Sequence, residues 1–222
     1  MRVASRDVSA STSDSRTSTW VGIAVGLVLL GLVAAFAIGL PKASGADDAS
    51  AAPAVDLTLP DTLPGGYAAA DDPAAFADGD LAQQADQIAQ QQAANTAYGD
   101  KVLNDVLGAP AATRSYVVDG TNAVFVQVFQ SAGGAFSPSS LTDPASTNGG
   151  GGLTMAKVGD GICILTYGQS QDGTPGDPSS SQCQVTHDQL TVQIQSAGVS
   201  AEELVHVADG LLDDLSGSAQ DQ

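Results

Sequence analysis

Chemistry in this chain has few residues to draw on. Its 222 residues include two cysteines, Cys163 and Cys183, two histidines, His187 and His206, and 25 acids, all of them Asp except Glu202 and Glu203. Ser and Asp are plentiful enough for a Ser/His/Asp triad, but there is no Gly-x-Ser-x-Gly elbow and no Ser-x-x-Lys. His187 falls at a turn and His206 lies two positions off the apolar stripe of the last helix, so both are expected to face solvent. The adjacent carboxylates Asp71-Asp72 and Asp213-Asp214 read as solvated loops and helix ends rather than acid/base pairs. The stretch Asp172 to Asp177 lacks the ligand period of an EF-hand, and Gly159-Asp160-Gly161 has no following helix with which to cradle phosphate. The expectation is a protein with no catalytic, cofactor-binding or metal-binding residue and no enzymatic activity.

Cys163 and Cys183 remain as the one pair with a defined chemistry. In an oxidising compartment the default is a disulfide; the spacing and the lack of clustered His do not suit zinc. The bond would close a loop worth about 3 kcal/mol in the chain-entropy model. Its geometry is not settled by the pattern. Cys163 precedes the end of its strand at Tyr167 by four residues, whereas Cys183 opens the next. A regular register would set Cys183 beside Tyr167, so either the strands are shifted or the loop doubles back over the sheet.

That compartment is read from the N-terminal segment. Trp20 to Leu40 is 21 residues long with no charged side chain, about 31 Å as a helix and matched to a hydrocarbon core of about 30 Å. Arg2, Arg6 and Arg16 precede it; only Lys42, then Asp47 and Asp48, follow. The positive-inside rule puts residues 1–19 in the cytoplasm as a disordered tail, 20–40 across the membrane, and the rest outside. Cleavage near Ser44-Gly45-Ala46 is the competing reading, and would release a secreted domain. It is disfavoured because signal-peptide apolar regions span about 7–15 residues. With no Leu-x-x-Cys there is no lipid attachment site. The net charge of −18 conceals a sharper asymmetry: after residue 42, three bases face 23 acids, a net −20. A field of that sign repels phosphate and excludes nucleic acid as a partner.

The elements that would position these residues follow a linker over 41–61. An α+β domain is expected over 62–218, with 219–222 as a disordered tail. Leu81 to Leu107 reads as a helix, capped by Asp78 or Asp80 and stopped by Gly108 and Pro110, with Gly99 a candidate break. Its apolar stripe would be Leu81, Ala85, Ile88, Tyr98, Val102, Leu103 and Val106. From residue 113 the period becomes two. Arg114–Val118 and Asn122–Gln130 flank an Asp119-Gly120-Thr121 turn; Leu153–Val158 and Ile162–Tyr167 flank Gly159-Asp160-Gly161. Cys183–His187 and Leu190–Gln195 follow, the last with Leu190, Val192 and Ile194 on one face and Thr191, Gln193 and Gln195 on a wet one. A helix from Ser200 to Leu215 carries Leu204, Val207, Leu211 and Leu215 on one stripe, opened by a Ser200/Glu203 capping box. The order predicts one helix, an antiparallel meander of five to six strands and a C-terminal helix. Two loops, Ser131–Gly152 and Gln169–Gln182, are rich in Gly, Ser and Pro and read as disordered.

The run from Gly161-Ile162-Cys163 through Cys183-Gln-Val-Thr-His187-Asp-Gln-Leu-Thr191-Val to Ser200-Ala-Glu-Glu-Leu204 resembles a broad group of actinobacterial membrane-anchored or lipid-anchored extracytoplasmic proteins. Their C-terminal domains carry a Cys, a polar loop, a Cys-x-Trp-x-Asp strand, a Thr-Val strand and a final helix; here Val185 stands at the Trp and His187 at the Asp. The resemblance covers about residues 150–215 and implies an extracytoplasmic location and a disulfide, not an activity. The leading expectation is a single-pass membrane protein whose acidic outer domain is a binding or regulatory module for an extracytoplasmic protein partner. An envelope hydrolase with a site the spacing does not reveal is the alternative.

Overall fold

A computed structural model describes residues 57–78, 80–147, 151–169 and 176–220. The expected membrane span and cytoplasmic tail lie outside these residues; among those described, no helix is long and apolar enough to cross a membrane. The domain is α+β, with eight antiparallel strands in one sheet and two long helices. The strands are β1 (Thr62–Leu63), β2 (Tyr67–Ala69), β3 (Ala111–Val118), β4 (Asn122–Gln130), β5 (Gly152–Val158), β6 (Gly161–Tyr167), β7 (Pro178–His187) and β8 (Leu190–Ser196). Helix α1 spans Ala85–Leu107 and α2 spans Ala201–Gln220.

The sheet order is β1-β2-β3-β4-β8-β7-β6-β5. The expected single meander is therefore two meanders joined at the centre, with β8 inserted beside β4 rather than at an edge. Three of the turns were legible. Asp119 and Gly120 (φ 54° and 63°) close β3–β4, Gly159 (φ 54°) closes β5–β6, and Asp188 (φ 51°) closes β7–β8. Small β1 and β2, joined through Pro64-Gly65-Gly66, were not expected, because two and three residues are too short to show a period.

The joining segment between β4 and β5 corrects the reading of a disordered loop. Chain leaving β4 must reach the far edge of the sheet, four strand spacings or about 19 Å away. Its described residues touch the sheet near both ends of the crossing. The Thr191 hydroxyl donates to Ser131 O at 2.9 Å, Thr142 pairs with Leu153 in both directions, and Pro144–Thr147 forms a short 3-10 turn. Gly133 (φ 84°) passes so close to Thr186 that a Cβ there would meet its hydroxyl at 2.8 Å.

One face of the sheet holds the main core. Val124, Val126 and Val128 of β4, Val192 and Ile194 of β8 and the two cysteines meet Leu204, Val207 and Leu211 of α2, the stripe expected for that helix. The Ser200 hydroxyl accepts the Glu203 N–H at 3.2 Å, as a capping residue should. Glu203 does not complete the reciprocal box: its Oε1 accepts the Tyr67 hydroxyl at 3.0 Å, tying α2 to β2. Burial first, then that bond and the charges of Glu203 and Asp119, push the Tyr67 phenol up to about 12.

Helix α1 departs most from expectation. It begins at Ala85 after a 3-10 turn over Ala82–Gln84, without an Asp cap, and runs unbroken through Gly99. The N-terminal part of the expected stripe packs inward, with Ala85 buried and Leu81 and Ile88 against the same cluster, but farther along Tyr98 is 71% exposed and Val106 54%, so the stripe does not hold over the whole helix. Polar contacts set the rotation. Strand β2 and the Ala70 N–H that follows it cover β3 only from Ser115 to Val117, which leaves the start of that edge of β3 open. Asp100 Oδ1 accepts the Thr113 N–H at 2.7 Å, while Asn104 accepts the Ala111 N–H at 3.1 Å and donates to Ala111 O at 2.7 Å. An open strand edge is a row of backbone groups seeking partners, and here a helix supplies them.

Candidate functional site

Cys163 and Cys183 are bonded and fully buried, with Cα atoms 4.0 Å apart. The register problem disappears because β7 starts at Pro178, five residues before Cys183. Cys163 and Cys183 then sit directly opposite each other on β6 and β7, with neither a doubled-back loop nor a slipped register at the bond. A bulge at Thr166/Tyr167 takes up the irregularity instead.

The histidines are not alike. His206 is exposed as expected, but His187 is only 33% exposed and lies against α2, Nε2 3.4 Å from Asp209 Oδ1 and Nδ1 3.9 Å from Asp213 Oδ1. Burial pushes the Asp209 carboxyl above its ordinary range; His187 and His206 oppose that shift, and Asp160 and Asp213 add to it. Asp71 and Asp72 separate in role. Asp72 Oδ1 accepts the Ala74 N–H and caps a short turn at Pro73–Phe76, whereas Asp71 holds Arg114 through a two-nitrogen fork at 2.7–3.2 Å. The same guanidinium reaches Leu59 O, Pro60 O and Asp61, which fastens the entering chain to β3. Burial opposes the Arg114 charge, but its bonds to Asp71 and Asp61 raise the pKa above its already high ordinary value. This is a structural clamp. Asp172 lies outside the described residues; Asp177 is exposed.

The most distinctive surface lies on the sheet face away from α2. None of the residues in β3 to β8 is acidic, in a chain with 25 acids. Aspartate is disfavoured in strands generally, but the residues taken in its place are unusual. Cross-strand partners align Gln127, Gln193 and Gln184 in one row and Phe125, Gln195 and Gln182 in the next. The rows continue through Ile162 and Lys157, and through Ile164 and Met155. Gln193 Nε2 donates to Gln184 Oε1 at 3.1 Å, so the amides are oriented along the row. Gln127 is buried; the other glutamines, Phe125 and Phe129 are half-buried.

Two elements border this face. Over β2 and β3 it is closed by a second small core of Ala70, Phe76, Ala85 and Val117 beneath α1. At β7 and β8 the segment leaving β4 lies along it, and Gln184 Nε2 approaches Gly134 O at 3.4 Å. Lys157, exposed on the edge strand β5, is the one charged side chain in these rows. Gln193 and Gln195 were legible in the sequence as a wet face. Gln182 is lost because a strand read from Cys183 leaves it in the preceding loop, and Gln184, though inside that strand, is not assigned there to a face; the alternation Gln182, Gln184, Thr186 against Cys183, Val185 is the available signal. Comparison with protein-family models, curated proteins and solved structures finds no match.

Proposed function

We propose that this chain is a single-pass membrane protein, anchored through residues 20–40 with its N-terminus in the cytoplasm, whose acidic outer domain is a non-enzymatic binding module. The anchor rests on the uncharged 21-residue span and on the placement of Arg2, Arg6 and Arg16 before it. The disulfide suits an oxidising compartment, as does the resemblance to anchored extracytoplasmic proteins. The observation that carries the binding role is the amide-rich, acid-free face across β4, β8 and β7. Oriented half-buried amides next to phenylalanine offer hydrogen bonds and apolar contact together, the usual make-up of a recognition surface.

Two measurements test this. Protease added to intact producing cells should digest the C-terminal domain while a tag ahead of residue 20 stays protected; protection of the domain would defeat the topology. Full-length protein in detergent should also co-sediment with detergent-extracted cell envelope. The double variant Gln184→Glu/Gln193→Glu, which places acids on the face, should lose about tenfold in retention. Equal retention of both proteins, or none of either, would remove the binding role from this face.

A further inference from the structure

We infer that the face across β4, β8 and β7 takes a neutral, hydroxyl-rich polysaccharide, an assignment that rests on the binding-module reading above and names its ligand class. Charge is the first argument. The domain's strongly negative field repels polyanions at long range, yet the face itself holds no carboxylate that a docking ligand would have to desolvate. A neutral ligand therefore meets neither penalty.

Hydrogen-bonding capacity is the second. Each glutamine amide presents two N–H donors and a carbonyl acceptor, and a sugar hydroxyl is donor and acceptor at once. The Gln193–Gln184 bond uses one Gln193 donor and one Gln184 acceptor lone pair, and Gln184 Nε2 also donates to Gly134 O at 3.4 Å, so both amides are held in place and the rest of their hydrogen-bonding capacity is spread over strands about 4.8 Å apart. Phe125 and Phe129 stand on the same face of β4, four residues or about 13 Å apart. They supply apolar rings to the C–H faces of sugars on either side of the Gln127 row.

Two other occupants fit less well. An extended peptide binds sheets by adding to a free edge, but β4, β8 and β7 are each paired on both sides, the edge strand β5 lies beyond β6 and away from them, and the open part of β3 is taken by Asp100 and Asn104. A second copy of the sheet would press amides against amides out of water, where each unpaired group carries a desolvation cost.

The test is affinity electrophoresis of the full chain in a polyoxyethylene detergent, chosen to avoid sugar headgroups. Native gels would contain hydroxyethyl cellulose, dextran or galactomannan as neutral probes, and carboxymethyl cellulose as the anionic one. Retardation is expected with at least one neutral polymer and not with the anionic one. Gln184→Ala/Gln193→Ala should weaken it about tenfold, as expected for two lost hydrogen bonds. Phe125→Leu keeps apolar volume and should also weaken it, which covers the case where the double variant does not fold. Gln91→Ala, on the exposed side of α1, should change nothing. No retardation by any neutral polymer, retardation by the carboxylated one as strong, or binding unmoved in both face variants would overturn the assignment. Should the envelope retention still fall in Gln184→Glu/Gln193→Glu while no neutral polymer retards the chain, the ligand class fails and the binding module stands.

Discussion

At the residue scale, the chain's few strong polar contacts serve its architecture. Arg114 is 16% exposed and Asp71 17%, a pair largely removed from water and satisfied by further bonds to two backbone carbonyls. Removing one member of such a pair strands the other's charge and typically costs about 3–5 kcal/mol. Arg114→Met should approach that figure in urea denaturation, and Arg114→Lys should recover less than half, since an ammonium cannot make the fork and reach Leu59 O and Pro60 O together. Asp209 predicts the opposite sign. Burial raises its pKa in the folded state, so its ionisation opposes folding; that cost is present at pH values above the folded pKa and absent below the ordinary carboxylate range. Asp209→Asn should therefore raise the melting temperature at pH 8, by roughly 1–2 °C for a half-buried surface group. The gain should shrink toward pH 4 as the wild-type carboxyl takes up its proton. A loss at pH 8 would show that the contact with His187 outweighs burial.

At the element scale, the contrast between α1 and α2 explains what was legible in the sequence. Helix α2 and the paired strands were readable because burial sets their orientation, and burial leaves a period: Leu204, Val207 and Leu211 lie on one stripe, Val192 and Ile194 on one face. Only the first turns of α1 were readable in this way, through Ala85 and Ile88; its C-terminal half was not, because Asp100 and Asn104 fix it against an open strand edge. Polar edge-capping of that kind has no period. The start of β7 was lost for a related reason, since Ser and Gln before Cys183 resemble loop, and with it went the disulfide register and Gln182 of the candidate face. Gly99 shows the same geometry at work. A Cβ at this position would collide with Thr113 Cγ2, while Thr113 itself is 3% exposed with little room to move. Helix propensity alone favours Gly99→Ala by about 0.8–1 kcal/mol, whereas overpacking costs about 1–3 kcal/mol. The substitution should be net destabilising by about 1 kcal/mol in urea titration, and adding Thr113→Ser should restore the stability and reveal the propensity gain. A stabilising Gly99→Ala alone would mean that α1 is free to lift away from β3.

At the scale of the whole molecule, the sheet order makes the central disulfide more than a local staple. Strands β1 to β4 form one run of neighbours and β5 to β8 another, and the two meet only where β4 pairs with β8. The half formed by β5 to β8 is tied to its neighbour by that one ladder, by α2 lying over β7 and β8, and by the segment that leaves β4. Cys163 and Cys183 brace this half from within, 20 residues apart in sequence and both buried beneath α2, where Cys183 Sγ faces Ala201 O. Removing the bond in Cys163→Ala/Cys183→Ala should cost about 3 kcal/mol by loop entropy and lower the melting temperature by roughly 6–12 °C. The sulfurs' burial makes a kinetic prediction as well. Thiolate attack needs access, so millimolar dithiothreitol should leave the native bond intact at 25 °C and cleave it at the rate at which β5 to β8 open. Free-thiol labelling followed across a urea series should therefore track opening of that half. Labelling that is rapid without urea would show instead that the seam between α2 and β7 opens while the rest of the sheet stays folded.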